Sequence, residues 1–348
     1  MKIYIPTGKA VSLKNVSNTI AKTLARHNII GIVSETFSPQ LIMRKKVDGV
    51  LFNYPADPVF CREYIGYYVT FKPMFQDKML FYTTIEGRPR RIEVSSPIFQ
   101  YVEFIANSNY TATKLRESGL KVKAVVYHGI DFEAVEYAKR MAKMLRKRNE
   151  KMVGDKVIFG YVGSTHKRKN LDGLMKAVEI LNEKGVKDFV LEVITESIET
   201  PPNVYKVADM GTKSYEEVLA FIGSVDFLIF PTMCEGFGLP VLEGMAMGKI
   251  VLHANIPPLN EFSDINNNIT WEYDYVEDYE PKSISSGGLI FELHRFQPEK
   301  IVEAMMEAID MYRNRRDEYE IRCQSNIEKA KRYDSNITYK YFVDYFTH

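Results

Sequence analysis

The chain has 348 residues, 45% of them apolar and 26% charged, with a formal charge of +1, which excludes a fibrous or disordered protein and leaves room for two cores. A balance this close to neutral also excludes global attraction to nucleic acid, so any anion must be held by a local cluster. Cys61, Cys234 and Cys323 lie far apart without a CxxC pair, which argues against a disulfide frame or zinc site and for a reducing compartment.

In chain order, Met1-Lys2-Ile3-Tyr4-Ile5-Pro6 lacks the apolar core of a signal peptide. No later run approaches the roughly 20 apolar residues of a membrane span, so the expected location is cytoplasmic. Strands are expected at Lys2–Pro6, Ile29–Ser34, Gly49–Phe52, Met79–Thr84, Phe104–Asn107 and Lys123–Tyr127, with helices between several of them. Phe132–Met152 is helix-compatible and rich in Lys139, Arg140, Lys143, Arg146, Lys147, Arg148 and Lys151. Two readings of it stand open: a solvated helix face, or a basic surface for anionic lipid with Met141, Met144 and Leu145 beside the charges. A second strand series runs through Val157–Val162, Phe189–Thr195, Val204–Val207, Phe227–Phe230 and Ile250–His253. Helices fit Leu171–Glu183, Tyr215–Ile222 and Pro240–Met247, where apolar residues recur at three- and four-residue spacing. The closing Ile337–Phe346 reads as one aromatic helix. Such alternation predicts α/β layering with largely parallel sheets.

The segment Glu235-Gly236-Phe237-Gly238-Leu239-Pro240-Val241-Leu242-Glu243 follows one of these strands and opens a helix. A glycine-rich turn leading into a helix N-terminus frees backbone N–H groups and suits a phosphate. Carboxylates repel phosphate but accept hydrogen bonds from hydroxyls, so two acids here suit a ligand that carries both a diphosphate and sugars. The order strand, turn, helix places the motif at the carboxyl end of a sheet, where open α/β folds bind ligands. The plainer alternative is a turn with Pro240 in the first helical turn and Glu243 facing solvent.

Glu235, Phe237, Gly238 and Glu243 match the E-x-F-G-x-x-x-x-E element of the family 4 retaining glycosyltransferases, which the chain resembles. The resemblance continues through Gly244–Val251, Asn255–Glu261 and Gly288–Phe291, and includes Phe159–Gly163 followed by Lys167-Arg168-Lys169-Asn170-Leu171. It covers roughly residues 157 to 310 and is weaker before them. It implies the GT-B architecture: an N-terminal Rossmann-like acceptor domain over 1–152, a nucleotide-sugar donor domain over 153–330 facing it across a cleft, and a C-terminal helix over 331–348 crossing back to the first domain. It further implies transfer of a hexose from a nucleotide-diphosphate sugar, with retained configuration, to a glycan, lipid or protein-linked acceptor. Glu235 would contact the donor sugar, Glu243 the ribose hydroxyls and Lys169 the diphosphate, with Arg168, Gly163, Leu239 and the backbone near Gly238 assisting. For Lys167 and Arg168, a solvated basic turn is an equal reading. No Asp-x-Asp occurs and the six histidines are scattered, so no metal and no cofactor is expected.

The match departs from the family pattern at three places. Ser164 stands where a basic residue commonly follows the glycine. The first turn, Thr7-Gly8-Lys9-Ala10, has one glycine, so Gly8 either lets the backbone approach the donor phosphate or serves a plain turn. Glu86 replaces a histidine, and is either a cleft carboxylate acting on the acceptor or a loop residue paired with Arg88 or Arg90. Asn107-Ser108-Asn109-Tyr110-Thr111 and Tyr127-His128-Gly129-Ile130-Asp131 resemble family segments at strand ends, His128 being read as structural. The nucleoside is placed along Thr195–Tyr215, with Met210-Gly211 and Glu217 as candidates. The alternatives to a transferase are a donor-binding subunit without turnover, or a GT-B epimerase.

Overall fold

The computed structural model describes residues 1–76, 78–280 and 288–348. In the first half the strands are β1 (Lys2–Pro6), β2 (Ile30–Ser34), β3 (Gly49–Asn53), β4 (Met79–Thr83), β5 (Arg88–Pro89), β6 (Glu103–Ala106) and β7 (Lys121–Val125). The helices here are α1 (Val11–Arg26), α2 (Pro39–Lys45), α3 (Pro58–Phe75), α4 (Arg91–Val94) and α5 (Asn109–Glu117), with α6 (Phe132–Val153) leading out. The second half has β8 (Val157–Val162), β9 (Phe189–Thr195), β10 (Val204–Asp209), β11 (Phe227–Phe230), β12 (Ile250–Ala254), β13 (Ile269–Trp271), β14 (Tyr275–Tyr279) and β15 (Leu289–Arg295). Its helices are α7 (Leu171–Glu183), α8 (Tyr215–Ser224), α9 (Leu239–Ala246), α10 (Leu259–Phe262), α11 (Pro298–Asn314) and α12 (Arg316–Ala330), and the chain closes with α13 (Ser335–Thr338) and α14 (Lys340–Thr347).

Each half builds one parallel sheet of six strands, ordered β2-β1-β3-β4-β6-β7 and β10-β9-β8-β11-β12-β13. Strands such as Phe227-Leu228-Ile229-Phe230 are apolar at every position because helices cover both faces, and all four residues are buried. The strand order reverses beside β1 in one sheet and beside β8 in the other. Loops part to opposite faces at such points, and the resulting crevice at the strand carboxyl ends is where α/β folds take ligands. Two Rossmann-like units are therefore present, as expected.

Two features lie outside the sequence reading. β14, β15 and β5 form a small antiparallel sheet in which Leu289 and Ile290 pair with Pro89 and Arg88, so a strand of the first half joins the second. The expected single C-terminal helix is broken: Thr338 ends α13 and α14 starts at Lys340, with Tyr339 buried between them. Tyr339, Phe342, Val343 and Phe346 pack with Ile3, Ile5, Leu51, Leu80 and Tyr82 of the first sheet, so the crossing back is present in two pieces. In α6, Met141 and Leu145 pack against the core and Met144 is exposed, while Arg146 is held by Asp226 at 2.8 Å and Glu150 at 2.9 Å. One of the three apolar residues in the lipid reading of α6 therefore faces outward. Among the described residues, no helix is long and apolar enough to cross a membrane.

Candidate active site

The two reversal points face one another across a cavity of about 390 Å³. The first half contributes Ala10–Leu13 at the start of α1, together with Thr84, Glu86 and His128, and the second contributes Gly163, Ser164, Arg168, Lys169, Met210, Gly211, Lys213, Tyr215 and Glu235 through Pro240, with Glu243.

The loop after β11 is buried from Pro231 to Gly238 and is laced to the loop after β8, Met233 N–H donating to Arg168 carbonyl at 2.8 Å. Glu235 points its Oε1 at three donors: Thr232 Oγ1 at 2.8 Å, Lys169 Nζ at 2.5 Å and Arg168 Nη1 at 3.3 Å. Arg168 reaches across the cavity with Nη2 to Glu86, 2.7 Å away. Two cations and two carboxylates thus alternate along one line between the halves. Burial alone would raise the Glu235 carboxyl, but Lys169 and Arg168 outweigh it and hold the group below the ordinary carboxylate range. Glu86 keeps a raised pKa because burial and the Glu235 charge exceed what Arg168 and Lys169 return. Lys169 is lowered by burial and by Arg168 against the pull of both acids.

Local backbone explains why glycines flank this loop. Gly238 caps α9 at φ 92°, and a Cβ there would stand 2.1 Å from Leu259 Cδ2. Gly236 lies under the first half: a Cβ would meet Thr84 Oγ1 at 2.3 Å, and Asn107 Nδ2 donates to its carbonyl at 3.1 Å. Pro240, in the first turn of α9, removes a donor that the helix does not need. Glu243 follows one turn later and is buried, which pushes its carboxyl up to about 7, with the Tyr215 hydroxyl opposing.

The cavity brings together Glu235, Lys169, Glu86, Arg168, Gly163, Phe237, Gly238, Leu239 and Glu243. It leaves Gly8 out; that glycine is buried just after β1, where a Cβ would stand 2.6 Å from Leu13 Cδ1, and the nearby residues Ala10 to Leu13 line the wall instead. Phe237 stacks on Phe262 at 4.8 Å and meets the His128 ring edge-on at 4.8 Å, so it props the loop as well as lining the cavity. Glu86 is a cleft carboxylate rather than a partner of nearby arginines, since Arg88 pairs with Asp278 and Glu292, and Arg90 with Glu280. Both ring nitrogens of His128 are engaged, with Tyr82 at 2.7 Å and Asn107 at 3.2 Å, and burial lowers the ring to about 3, a neutral structural histidine. Met210 and Gly211 line the cavity, whereas Glu217 is partly exposed and closes a capping box with Ser214 at the start of α8. Lys213 and Tyr215, at the end of the segment given to the nucleoside, line the cavity as well. Sequence reasoning missed Thr84 as a lining residue. It missed Asp57 too, beyond the end of β3, whose carboxyl is pushed up to about 8 by burial and the neighbouring Glu86 charge.

The sequence profile described as Glycosyl transferases group 1 matches residues 143–268. Glycosyltransferase 335 of Sulfolobus islandicus rod-shaped virus 1, itself uncharacterized, is 34% identical over 352 residues, covering 99% of this chain and 100% of the relative. Among solved structures, Anabaena HepE in complex with UDP-glucose superposes with a TM-score of 0.68 at 11% identity, covering 99% of this chain and 98% of that one. A glycosyltransferase from Rickettsia africae gives a TM-score of 0.68 at 14% identity, covering 99% and 97%. At such identities the two structures speak for the fold, GT-B, whereas the full-length relative and the matched profile speak for descent. The chain belongs to the glycosyltransferases of group 1.

Proposed function

We propose that this glycosyltransferase moves a hexose from a nucleotide-diphosphate sugar to an acceptor hydroxyl, with retained configuration and without a metal ion. The carrying observation is the convergence of Lys169 and Arg168 on Glu235 beside the α9 N-terminus. In the reaction the bond from the anomeric carbon to the diphosphate oxygen breaks, and negative charge grows on the leaving group. Two half-buried cations and a helix N-terminus are fixed stabilisers for that charge, the task a divalent metal performs elsewhere.

Glu235 faces the sugar. Its Oε1 is occupied by three donors, whereas among the described residues Oε2 takes no hydrogen bond, which leaves it to accept one from a sugar hydroxyl. A carboxylate neutralised by two cations is a poor nucleophile, which favours attack on the same face as the departing group over a covalent sugar-enzyme step. The acceptor oxygen then bonds the anomeric carbon and its proton passes to the leaving phosphate, with Glu86 placed to assist from the first half. Glu243 and Tyr215 would hold the ribose, and Met210 and Gly211 the base. Residues 1–152 would supply the acceptor wall, 153–330 the donor wall and 331–348 the return to the first. We place the reaction in the cytoplasm, on a glycan, lipid or protein-linked acceptor; the basic row on α6 supports contact with an anionic membrane face.

The test is a metal-free screen of nucleotide sugars that reports binding and nucleoside diphosphate release, run beside Glu235→Ala and Lys169→Ala. The uridine donor in the HepE structure puts UDP-sugars first. Release by the wild type and not by the variants is the expected result. Binding without release, even with a panel of sugar acceptors, would favour a donor-binding subunit, and interconversion of the donor sugar an epimerase.

A further inference from the structure

Thr84 stands just past β4, half-buried on the cavity wall that the first half supplies, and the chemistry given above does not employ it. It faces the second half directly: a Cβ built on Gly236 would lie 2.3 Å from Thr84 Oγ1, and Gly236 follows Glu235. A hydroxyl has one proton to donate and lone pairs with which to accept, so its partners decide where that proton points.

The partners come from a buried row of polar groups behind the wall. Asn107, fully buried past the end of β6, brings one end of its side-chain amide to Thr84 Oγ1 at 2.9 Å, the Gly236 carbonyl at 3.1 Å and His128 Nε2 at 3.2 Å. The Gly236 carbonyl can only accept, so the atom facing all three groups is the amide nitrogen, a donor. Neutral His128 then accepts at Nε2 and carries its proton at Nδ1, which donates to Tyr82 Oη at 2.7 Å, and Tyr82 donates in turn to the Val126 carbonyl at 2.7 Å. Every group in the row has a role that fits its neighbours. Thr84 Oγ1 is thus an acceptor on its buried side, and among the described residues it donates no hydrogen bond. Its proton turns to the cavity.

Three kinds of oxygen could meet it there. On the proposed function the phosphate oxygens lie with Lys169, Arg168 and the start of α9, all in the second half. The attacking oxygen of an acceptor is unsuited, because a proton set on its lone pair weakens it as a nucleophile. Hydroxyls that do not react remain, and they can answer both a donor such as Thr84 and an acceptor such as Glu235 Oε2.

We propose that Thr84 is a specificity-determining residue that donates to one non-reacting hydroxyl of the transferred sugar, from the wall opposite Glu235. This role rests on the placing of the sugar at Glu235 in the preceding section.

Calorimetry on the intact chain separates the two, with UDP-glucose and UDP as the first probe pair, or the sugar nucleotide and its bare nucleotide that lead the screen. Thr84→Val, which keeps the shape and removes the hydroxyl, should weaken the sugar nucleotide about three- to tenfold, the worth of one uncharged hydrogen bond, and leave the bare nucleotide unaltered. Its melting temperature should match the wild type, because the two Asn107 protons keep the Gly236 carbonyl and His128 as acceptors. Thr84→Ser, which returns the hydroxyl, should recover most of the lost affinity. Sugar nucleotides deoxygenated at one ring position each then locate the partner: at one position the loss seen with the wild type should shrink in Thr84→Val. Unchanged sugar-nucleotide affinity in Thr84→Val, equal weakening of the bare nucleotide, no recovery in Thr84→Ser, or the same deoxygenation losses in both proteins would overturn the role and leave the transferase reading in place. A wild type that binds no sugar nucleotide would overturn that reading and the role together.

Discussion

The two ends of one short motif, the Glu235 turn and the Glu243 turn of α9, carry the same side chain in opposite electrostatic settings. Both acids are buried. Glu235 meets two cations and is held low, whereas Glu243 meets a tyrosine and is pushed up to about 7. Burial supplies the same penalty to both, so what differs is whether a compensating charge comes from elsewhere in the fold. The fold thereby favours the ionised form of Glu235 and the neutral form of Glu243; on the proposed function the first would face the sugar and the second the ribose hydroxyls.

Removing the charges at the Glu235 end should have the largest effect. Lys169→Ala should lower kcat by about 10²- to 10³-fold, the scale for losing one preorganised stabiliser of a leaving charge, with nucleotide affinity falling less; equal losses in both would mean that Lys169 serves ground-state binding only. Glu86→Gln should lower the transfer rate by about 10²-fold if proton handling is its task. A full rate with normal acceptor affinity would remove it from the chemistry.

At the other end, Glu243→Gln should weaken nucleotide binding by about tenfold or somewhat more, the value of a hydrogen bond to a charged acceptor, and should leave kcat nearly unaltered. The same residue sets a pH dependence. Its folded pKa lies above the ordinary carboxylate value of 4.5, at about 7, so its contribution to stability is present below pH 4.5 and is lost as pH rises through 7. Nucleotide affinity should run the other way, rising through pH 7 with release of a proton, and calorimetry in buffers of different ionisation enthalpy checks this; Glu243→Gln should flatten the curve. Smaller still is Gly238→Ala, expected to destabilise by about 1–3 kcal/mol through its backbone conformation and the Leu259 contact, read as a fall in denaturant midpoint.

The second-half wall of the cavity was legible because its parts are close in sequence: strand, glycine turn, helix and two acids fall within one stretch from Phe227 to Glu243, and Lys169 follows β8 by a short loop. The first-half wall was only partly legible. Glu86 was singled out, but whether it paired with Arg88 or faced a cleft could not be read from a segment whose partner, Arg168, is far away in the chain. Gly8 was singled out for its conformational freedom, yet it packs against Leu13 and the turn that follows it lines the cavity. Glu261 stood inside a recognised segment without a role, because its three donors all come from the other half. The strand Arg88–Pro89 is two residues long, below what any periodicity can reveal.

Neighbouring residues were enough to specify the two parallel sheets, since apolar runs of strand length separated by amphipathic helices have few other ways to bury themselves. They were enough for the glycine turn before α9 too, since local turn chemistry dictates a helix N-terminus there. Which acid meets which cation, that Glu235 and Glu243 titrate apart, and that Asn107 joins Thr84 to Gly236 were settled only when the chain closed on itself. Those properties depend on burial and on charges brought within a few ångströms by that closure, and neither quantity is carried by residues adjacent along the chain.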